Sequence, residues 1–227
     1  MKDKTDNRKY YEAYDERYKA VHKEGLMWFS DAPSPIVAEI IERYNISKHA
    51  NILEVGCGEG RDAHHLLKMG YKILATDISP TAINFCKEKW SKFSKNFKML
   101  DLIKDSLKDK YDFIYAVAVI HMLVLDEDRN AFYRFVRTHL RDGGIALICS
   151  MGDGHSELKS NIDKAFELQE RECSGQTVLV AGTSCRIVNT IRFEEELTEN
   201  HLRVIEMGQT SIKDEFTEMM YAVVEIA

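Results

Sequence analysis

Asn51-Ile-Leu-Glu-Val-Gly-Cys-Gly-Glu-Gly60 decides how this chain is read: a buried strand that runs straight into a glycine-rich turn. Ile52, Leu53 and Val55 supply the apolar, partly β-branched run of a parallel strand covered on both faces. Gly56, Gly58 and Gly60 then strip the Cβ atoms from the turn, so a ligand can touch its backbone directly. In the RDAHHLLKMG that follows, Ala63, Leu66 and Leu67 fall at helical spacing and Gly70 stands as a left-handed stop. The N-terminus of that helix aims its free N–H groups at whatever rests on the glycines.

Downstream, YKILAT forms a second strand ending in Asp77, about 20 residues beyond Gly58, where a carboxylate can accept from both hydroxyls of a ribose. Ser79 and Pro80 cap a helix through Trp90. FKMLDL is a short third strand ending in Asp101, and YDFIYAVAVIHML is a fourth, almost wholly apolar and therefore central. His121 falls just past its carboxyl end. A helix from about Asp126 to Leu140 follows, then RDGG and a fifth strand IALICSM. This alternation predicts right-handed parallel crossovers, which bring Asp77, Asp101 and His121 together above Gly56.

The flanks depart from that rhythm. Lys4 to Glu24 reads as a helix with Tyr10, Tyr14, Tyr18 and Val21 along one face, either docking the helix or forming a lid over a ligand. LMWFSDAPSP is a loop whose Trp28 either walls the cleft or fills the core, and Pro35 starts the helix IVAEIIERY. Residues 152–190 read as an insertion: a polar loop GDGHSE, an amphipathic helix through Arg171 and two strand-like runs, TVLVAG and CRIVNT. Its position beyond the fifth strand suits closure over a substrate, with Asp153, His155 and Arg186 as its most chemical residues. After a helix at Phe193 to Asn200, LRVIEM and MMYAVVEI are joined too closely for a crossover and should pair antiparallel.

At 227 residues the expectation is one α/β domain over 1–227, with 1–32 as N-terminal lid helix and loop and 152–190 on the substrate side. The 31 basic against 37 acidic residues, a net charge of −6, argue against a nucleic-acid surface built on bulk positive charge. The lysines between Lys87 and Lys110 are interleaved with Glu88, Asp101, Asp105 and Asp109, as on a solvated helix face. Five scattered cysteines lack the paired spacing of a zinc site, so no metal is expected and a reducing cytoplasm suits them. There is no charged-then-apolar leader at Met1, and the apolar run Phe113 to Leu125 falls short of the ~20 residues that span a bilayer. A soluble cytoplasmic protein with no membrane partner is expected.

Together EVGCGEG, the acid in TDIS, MLDL, AVAVIHML and RDGG before a strand resemble the class I S-adenosylmethionine-dependent methyltransferases over roughly residues 33 to 227. GEGRDA, with Arg61 and Asp62, is most similar to the small-molecule branch that includes the thiopurine and tellurite-resistance enzymes. The resemblance implies a Rossmann-like, seven-stranded, mostly parallel sheet with an antiparallel last strand and helices on both faces. It implies that Glu54, Gly56, Cys57 and Gly58 hold the methionine part of the cofactor, that Gly60 and Arg61 also belong to the cofactor site, and that Asp77 takes the ribose hydroxyls. Ile78 and Leu102 would flank the adenine, Asp101 would accept from its amino group, and the Ala116 and Val117 carbonyls would approach the ammonium. Many relatives carry a polar residue where this chain has Val117. The Asn/Asp-Pro-Pro-aromatic motif of amide- and base-nitrogen methylation is missing from AVAVIH, which disfavours DNA as substrate.

The expected reaction is methyl transfer to a thiol, metalloid, amine or hydroxyl of a small molecule, releasing S-adenosylhomocysteine. His121 is the candidate base, because imidazole titrates near neutrality. Tyr14, Trp28, Asp153 and Arg186 are the candidate substrate contacts. Two rivals stand beside this reading. A nicotinamide oxidoreductase would share the strand, glycines and acid, but its fingerprint wants glycine where Arg61 stands. A non-catalytic S-adenosylmethionine-binding protein would keep everything but the reaction. Monomer and homodimer are both left open.

Overall fold

The computed structural model describes residues 8–212 and 216–227. Residues 4–7 of the expected first helix lie outside that range. From Tyr10 the chain makes one 3-10 turn (Tyr10–Glu12) and then α1 (Ala13–Lys23), followed after a loop by α2 (Pro35–Arg43).

Then comes the alternating unit: β1 (Asn51–Val55), α3 (Arg61–Lys68), β2 (Lys72–Asp77), α4 (Pro80–Lys89), β3 (Phe97–Met99), β4 (Tyr111–Val117), α5 (Asp126–His139) and β5 (Leu140–Met151). β3 stops at Met99, so Asp101 lies in the turn beyond it. Two short strands, β6 (Leu158–Lys159) and β9 (Arg186–Ile187), bracket the hairpin β7 (Leu168–Cys173) and β8 (Gln176–Ala181). The chain ends with α6 (Thr190–Glu199), β10 (Leu202–Ile212) and β11 (Phe216–Ile226).

Seven strands form one sheet in the order β10-β11-β5-β4-β1-β2-β3. β1 pairs parallel with both β2 and β4, and β11 runs antiparallel between β5 and β10. The last strand is therefore the reversed one, because the short link after β10 leaves no room for a crossover.

Helices cover both faces, and the strands' period-2 alternation sorts their side chains between two cores. Leu53, Val55 and Ile114 pack with Phe132 and Val136 of α5 and Phe193 and Leu197 of α6. Ile52, Phe113 and Tyr115 pack with Ile40 of α2, Leu66 of α3 and Ile83 of α4. The chain leaves β1 toward β2 on one side and returns to β4 on the other, which opens a crevice at the carboxyl ends of β1 and β4.

One expected element is corrected. The amphipathic helix through Arg171 is a β-hairpin, with Gln169 opposite Val180 and Arg171 opposite Val178. Ser174 (φ 51°) and Gly175 (φ 77°) both take positive φ, as a two-residue hairpin turn demands. The apolar side chains that fix its register, Val178 and Val180, bury against Val21 of α1. No helix among the described residues is long and apolar enough to cross a membrane.

Candidate functional site

A cleft lies above the glycine turn. Its floor is the turn itself. The Gly56 and Cys57 amides both donate to the Thr76 carbonyl (2.8 and 2.9 Å), and the Gly58 amide donates to Asp77 Oδ2 (2.7 Å). Gly56 sits at φ 73°, where a Cβ would stand 2.3 Å from Val119 Cγ2, so that side chain closes directly over the bare backbone. The second oxygen of Asp77 accepts from the Ser79 amide at 2.8 Å. This one carboxylate thus fixes both the glycine turn and the start of α4.

The roof is the N-terminal segment: Tyr11, Tyr14, Tyr18, Phe29 and Ser30 all line the cleft. It is tied down by carboxylates. Asp15 of α1 accepts from Ser79 Oγ (2.6 Å) and the Thr81 amide (3.1 Å) at the head of α4. Glu59, 3% exposed, accepts from the Trp28 and Phe29 amides, both at 2.9 Å, and pairs with His22 Nε2 at 2.8 Å. Asp62 accepts from the amide and hydroxyl of Ser34 (2.6 and 2.8 Å), pinning α2 to α3.

Of the expected residues, Glu54, Gly56, Cys57, Gly58, Arg61, Asp77, Ile78, Asp101, Leu102, Val117 and Tyr14 line the cleft. The others do not. Gly60 turns outward: a Cβ there would meet Trp90, Cys86 and Phe97 at 2.5 to 2.9 Å, so this glycine serves packing against α4 and β3. Ala116 is buried in the sheet, and the backbone reaches the cleft at Val117, Ala118 and Val119. Trp28 lies under the Arg17 guanidinium, 4.5 Å from its ring centre, and packs with the α1 and hairpin core. Phe29 faces the cleft in its place.

His121 is not at the wall. It is 3% exposed, its Nδ1 has no hydrogen-bond partner among the described residues, and its ring stands edge-to-face behind Phe216. Burial, helped by the nearby Arg129 charge, pushes its pKa down to about 3, which makes it a poor proton acceptor. Asp153 closes its own loop, accepting from the His155 and Ser156 amides and Ser156 Oγ, bonds that hold it at about 2. Arg186 donates to the Val124 carbonyl and Asp126. Both are structural groups outside the cleft.

The cleft is acidic. Glu54, Glu59, Asp62, Asp77 and Asp101 line it, and Arg61 is the one basic side chain among the described lining residues. Burial raises Glu54 well above the carboxylate range, with Asp62 adding to it, and burial likewise raises Asp62 and Asp77. Among the described residues Glu54 Oε2 is buried without a partner. A cationic ligand would relieve all three carboxylates at once. Sequence reading missed Glu59, Tyr18, Phe29 and Phe216; the only local signal was the aromatic stripe on α1, which already includes Tyr18.

Residues 53–146 match the family model described as "Methyltransferase domain". The chain is 26% identical over 115 residues, half of its length, to "Probable S-adenosyl-L-methionine-dependent methyltransferase TehB" of Haemophilus influenzae, and that match spans 40% of the relative. In fold it is similar to an S-adenosylmethionine-dependent methyltransferase of Clostridium acetobutylicum, with a TM-score of 0.65 at 15% identity over 96% of this chain and 99% of the other. It is also similar to the 1,6-didemethyltoxoflavin-N1-methyltransferase of Burkholderia thailandensis, solved with 1,6-didemethyltoxoflavin and S-adenosylhomocysteine, with a TM-score of 0.68 at 12% identity over 96% and 89% of the two chains.

Proposed function

We propose that the chain is a class I S-adenosylmethionine-dependent methyltransferase and that it methylates a small-molecule acceptor, a reading supported by its fold and by the methyltransferase domain matched over residues 53–146. The observation that carries the proposal is the charge of the cleft. Five carboxylates around one described guanidinium suit a ligand bearing a sulfonium and an ammonium. The same carboxylates would repel the pyrophosphate of a nicotinamide dinucleotide. The residues fit the cofactor on one further count: among the described residues Glu54 Oε2 lacks a partner.

In this reading Glu54 accepts from the methionine ammonium and Arg61 pairs with its carboxylate. Gly56, Cys57 and Gly58 present bare backbone, with Val117 and Ala118 opposite. Asp77 keeps unused lone pairs beside its two N–H bonds for the ribose hydroxyls. Ile78 and Leu102 flank the purine, and Asp101 accepts from its amino group. S-adenosylmethionine, when bound, supplies a methyl group already activated on sulfur for in-line displacement.

The chain's own part is to align, enclose and dry the reactants. Alignment can lower a barrier by ~7–11 kcal/mol, whereas a general base adds a factor of about 10² to 10⁴. With His121 buried behind Phe216, alignment is the larger contribution here. Tyr14, Tyr18, Phe29 and Phe216 wall the cleft with aromatic faces, each worth about 0.5–2 kcal/mol toward a cation that lies over it. We place the acceptor on this aromatic side, and the N-terminal helix and the 152–190 insertion within the same domain. We further propose a cytoplasmic monomer or homodimer with no nucleic-acid or membrane partner.

The test is calorimetric titration with S-adenosylmethionine, S-adenosylhomocysteine and NADH, followed by detection of S-adenosylhomocysteine over thiols, amines, phenols and metalloid oxyanions. Binding of NADH with none of the other two would overturn the proposal. Cofactor binding with no turnover over the whole panel would favour a binding protein that lacks the reaction.

A further inference from the structure

The wall of the cleft that faces the glycine turn is the segment 118–124, which follows β4 and belongs to no strand or α-helix. It contributes Ala118, Val119, Met122 and Leu123 to the lining. The segment opens with Ala118 at φ 58°, a left-handed conformation unusual for a residue with a Cβ. Its few local bonds are those of one 3-10 turn, from the Met122 amide to the Val119 carbonyl and from the Leu123 amide to the Ile120 carbonyl. At its start the Ala118 amide donates to the Cys149 carbonyl of β5 (3.2 Å), and beyond that its backbone is held by side chains reaching in from outside. Arg129 Nη1 donates to the Ile120 and Leu123 carbonyls (2.8 and 3.1 Å). Ser184 Oγ donates to the Met122 carbonyl, and Arg186 to that of Val124. Tyr10 Oη accepts from the Val124 and Leu125 amides.

Arg129 is the centre of this suspension. It is 1% exposed, and its other nitrogens fork onto Glu196 of α6: Nε to both carboxylate oxygens (2.9 and 3.1 Å) and Nη2 to Oε2 (2.6 Å). Tyr133 Oη donates to the same carboxylate at 2.9 Å. A planar guanidinium can serve a carboxylate on one edge and two carbonyls on the other; a lysine ammonium is a point charge that cannot span both. Stability alone does not account for such a group, since a buried ion pair is often replaced by apolar side chains without loss. What an apolar replacement could not supply is the pair of donors that fixes two carbonyls of an irregular segment.

We propose that Arg129, held by Glu196, is a positioning residue of the cleft: it sets the backbone of 118–124 and thereby the fit of Val119 over Gly56 and the place of Met122 and Leu123 in the wall. The inference rests on the proposed cofactor site, because its measurable consequence is cofactor affinity. It acts through the backbone, and no contact between Arg129 and any ligand is required.

The experiment compares wild type with Arg129→Lys and with the double variant Arg129→Met/Glu196→Gln, in which the ion pair is gone and Tyr133 retains an acceptor. Thermal unfolding, calorimetric affinity for S-adenosylhomocysteine and amide hydrogen exchange are read on each. The expected result is a loss of affinity of about tenfold or more in the double variant and a smaller loss in Arg129→Lys. Faster exchange should be confined to the amides of 119–124, with β1 and β4 still protected. S-adenosylhomocysteine affinity and exchange at wild-type levels, in whichever of the two variants folds, would overturn the inference. Failure of wild type to bind S-adenosylhomocysteine would instead overturn the cofactor site on which it rests.

Discussion

The two sides of the cleft are built in opposite ways. The glycine turn after β1 is fixed by backbone bonds to the neighbouring strand and by one acid at that strand's end, all within about 20 residues of sequence. The segment after β4 is fixed by side chains of Tyr10, Arg129, Ser184 and Arg186, drawn from the N-terminal turn, α5 and the insertion. One side is built around glycines, the other of apolar residues whose backbone is held by side chains from elsewhere in the chain. A ligand between them meets a rigid floor that any strand-turn-helix unit can provide, and a wall whose shape depends on the whole fold.

The comparison breaks most sharply at Gly56. Gly56→Ala puts a Cβ into Val119 at positive φ, so floor and wall can no longer touch, and S-adenosylhomocysteine affinity should fall by about 100-fold or more. Calorimetry on the folded variant measures it, and retained affinity would show that the wall yields easily. Next in size, Asp77→Ala leaves the Gly58 and Ser79 amides without their carboxylate, each bond to a charged group being worth ~1.5–3 kcal/mol. Both thermal stability and cofactor affinity should drop, and an unchanged affinity would place Asp77 outside the ribose site.

Gly60→Ala separates the two kinds of glycine. Its Cβ meets Trp90, Cys86 and Phe97, so overpacking should cost about 1–3 kcal/mol of stability in denaturant unfolding while cofactor affinity stays within a few-fold. A matched loss of affinity would return Gly60 to the ligand side.

Acid–base behaviour gives a smaller effect with a definite sign. Glu54, Asp62 and Asp77 have raised pKa values in the folded chain, so the native state binds more protons than the unfolded one just above the ordinary carboxylate range. Their contribution to the stability of the free protein therefore declines as pH rises through that window. Binding of a cation follows the reverse course, strengthening as they ionise. Titrations between pH about 5 and about 8 should show S-adenosylmethionine affinity rising with pH more steeply than that of S-adenosylhomocysteine, which lacks the sulfonium charge. Equal slopes would remove the carboxylates from the recognition of that charge. The smallest effect is expected of Ser184→Ala, which removes one bond to the Met122 carbonyl and should cost about 0.5–1.5 kcal/mol in thermal or denaturant unfolding.

Much of the floor was legible because its determinants are local. Glycines at alternate positions, an acid at the next strand's end and an apolar fourth strand each state their structural need within one supersecondary unit. Several of the misplacements were side chains whose direction depends on distant partners. Trp28 and Phe29 are adjacent and chemically alike, and distant partners separate them: Trp28 packs with Arg17 and the hairpin core, whereas Phe29 meets Arg61 and Phe216. His121 follows the right strand, yet Phe216, from the far end of the chain, stands before it. The stretch through Arg171 carries charges at a spacing that suits a helix face as well as alternate strand positions. Its Ser174-Gly175 turn and the burial of Val178 and Val180 against Val21 settle it as a hairpin.

The sequence by itself determined the alternating αβ order, the reversed last strand, the glycine floor and the acids at the strand ends, since each follows from periodicity, missing Cβ atoms or a link too short to cross the sheet. Only the tertiary structure decided which aromatic rings face the cleft, that Gly60 and His121 do not, and that Arg129 and Glu196 carry the opposite wall. Those outcomes depend on which polar groups find partners once buried, and the partners of Arg129 and Asp15 lie 67 and 64 residues away along the chain.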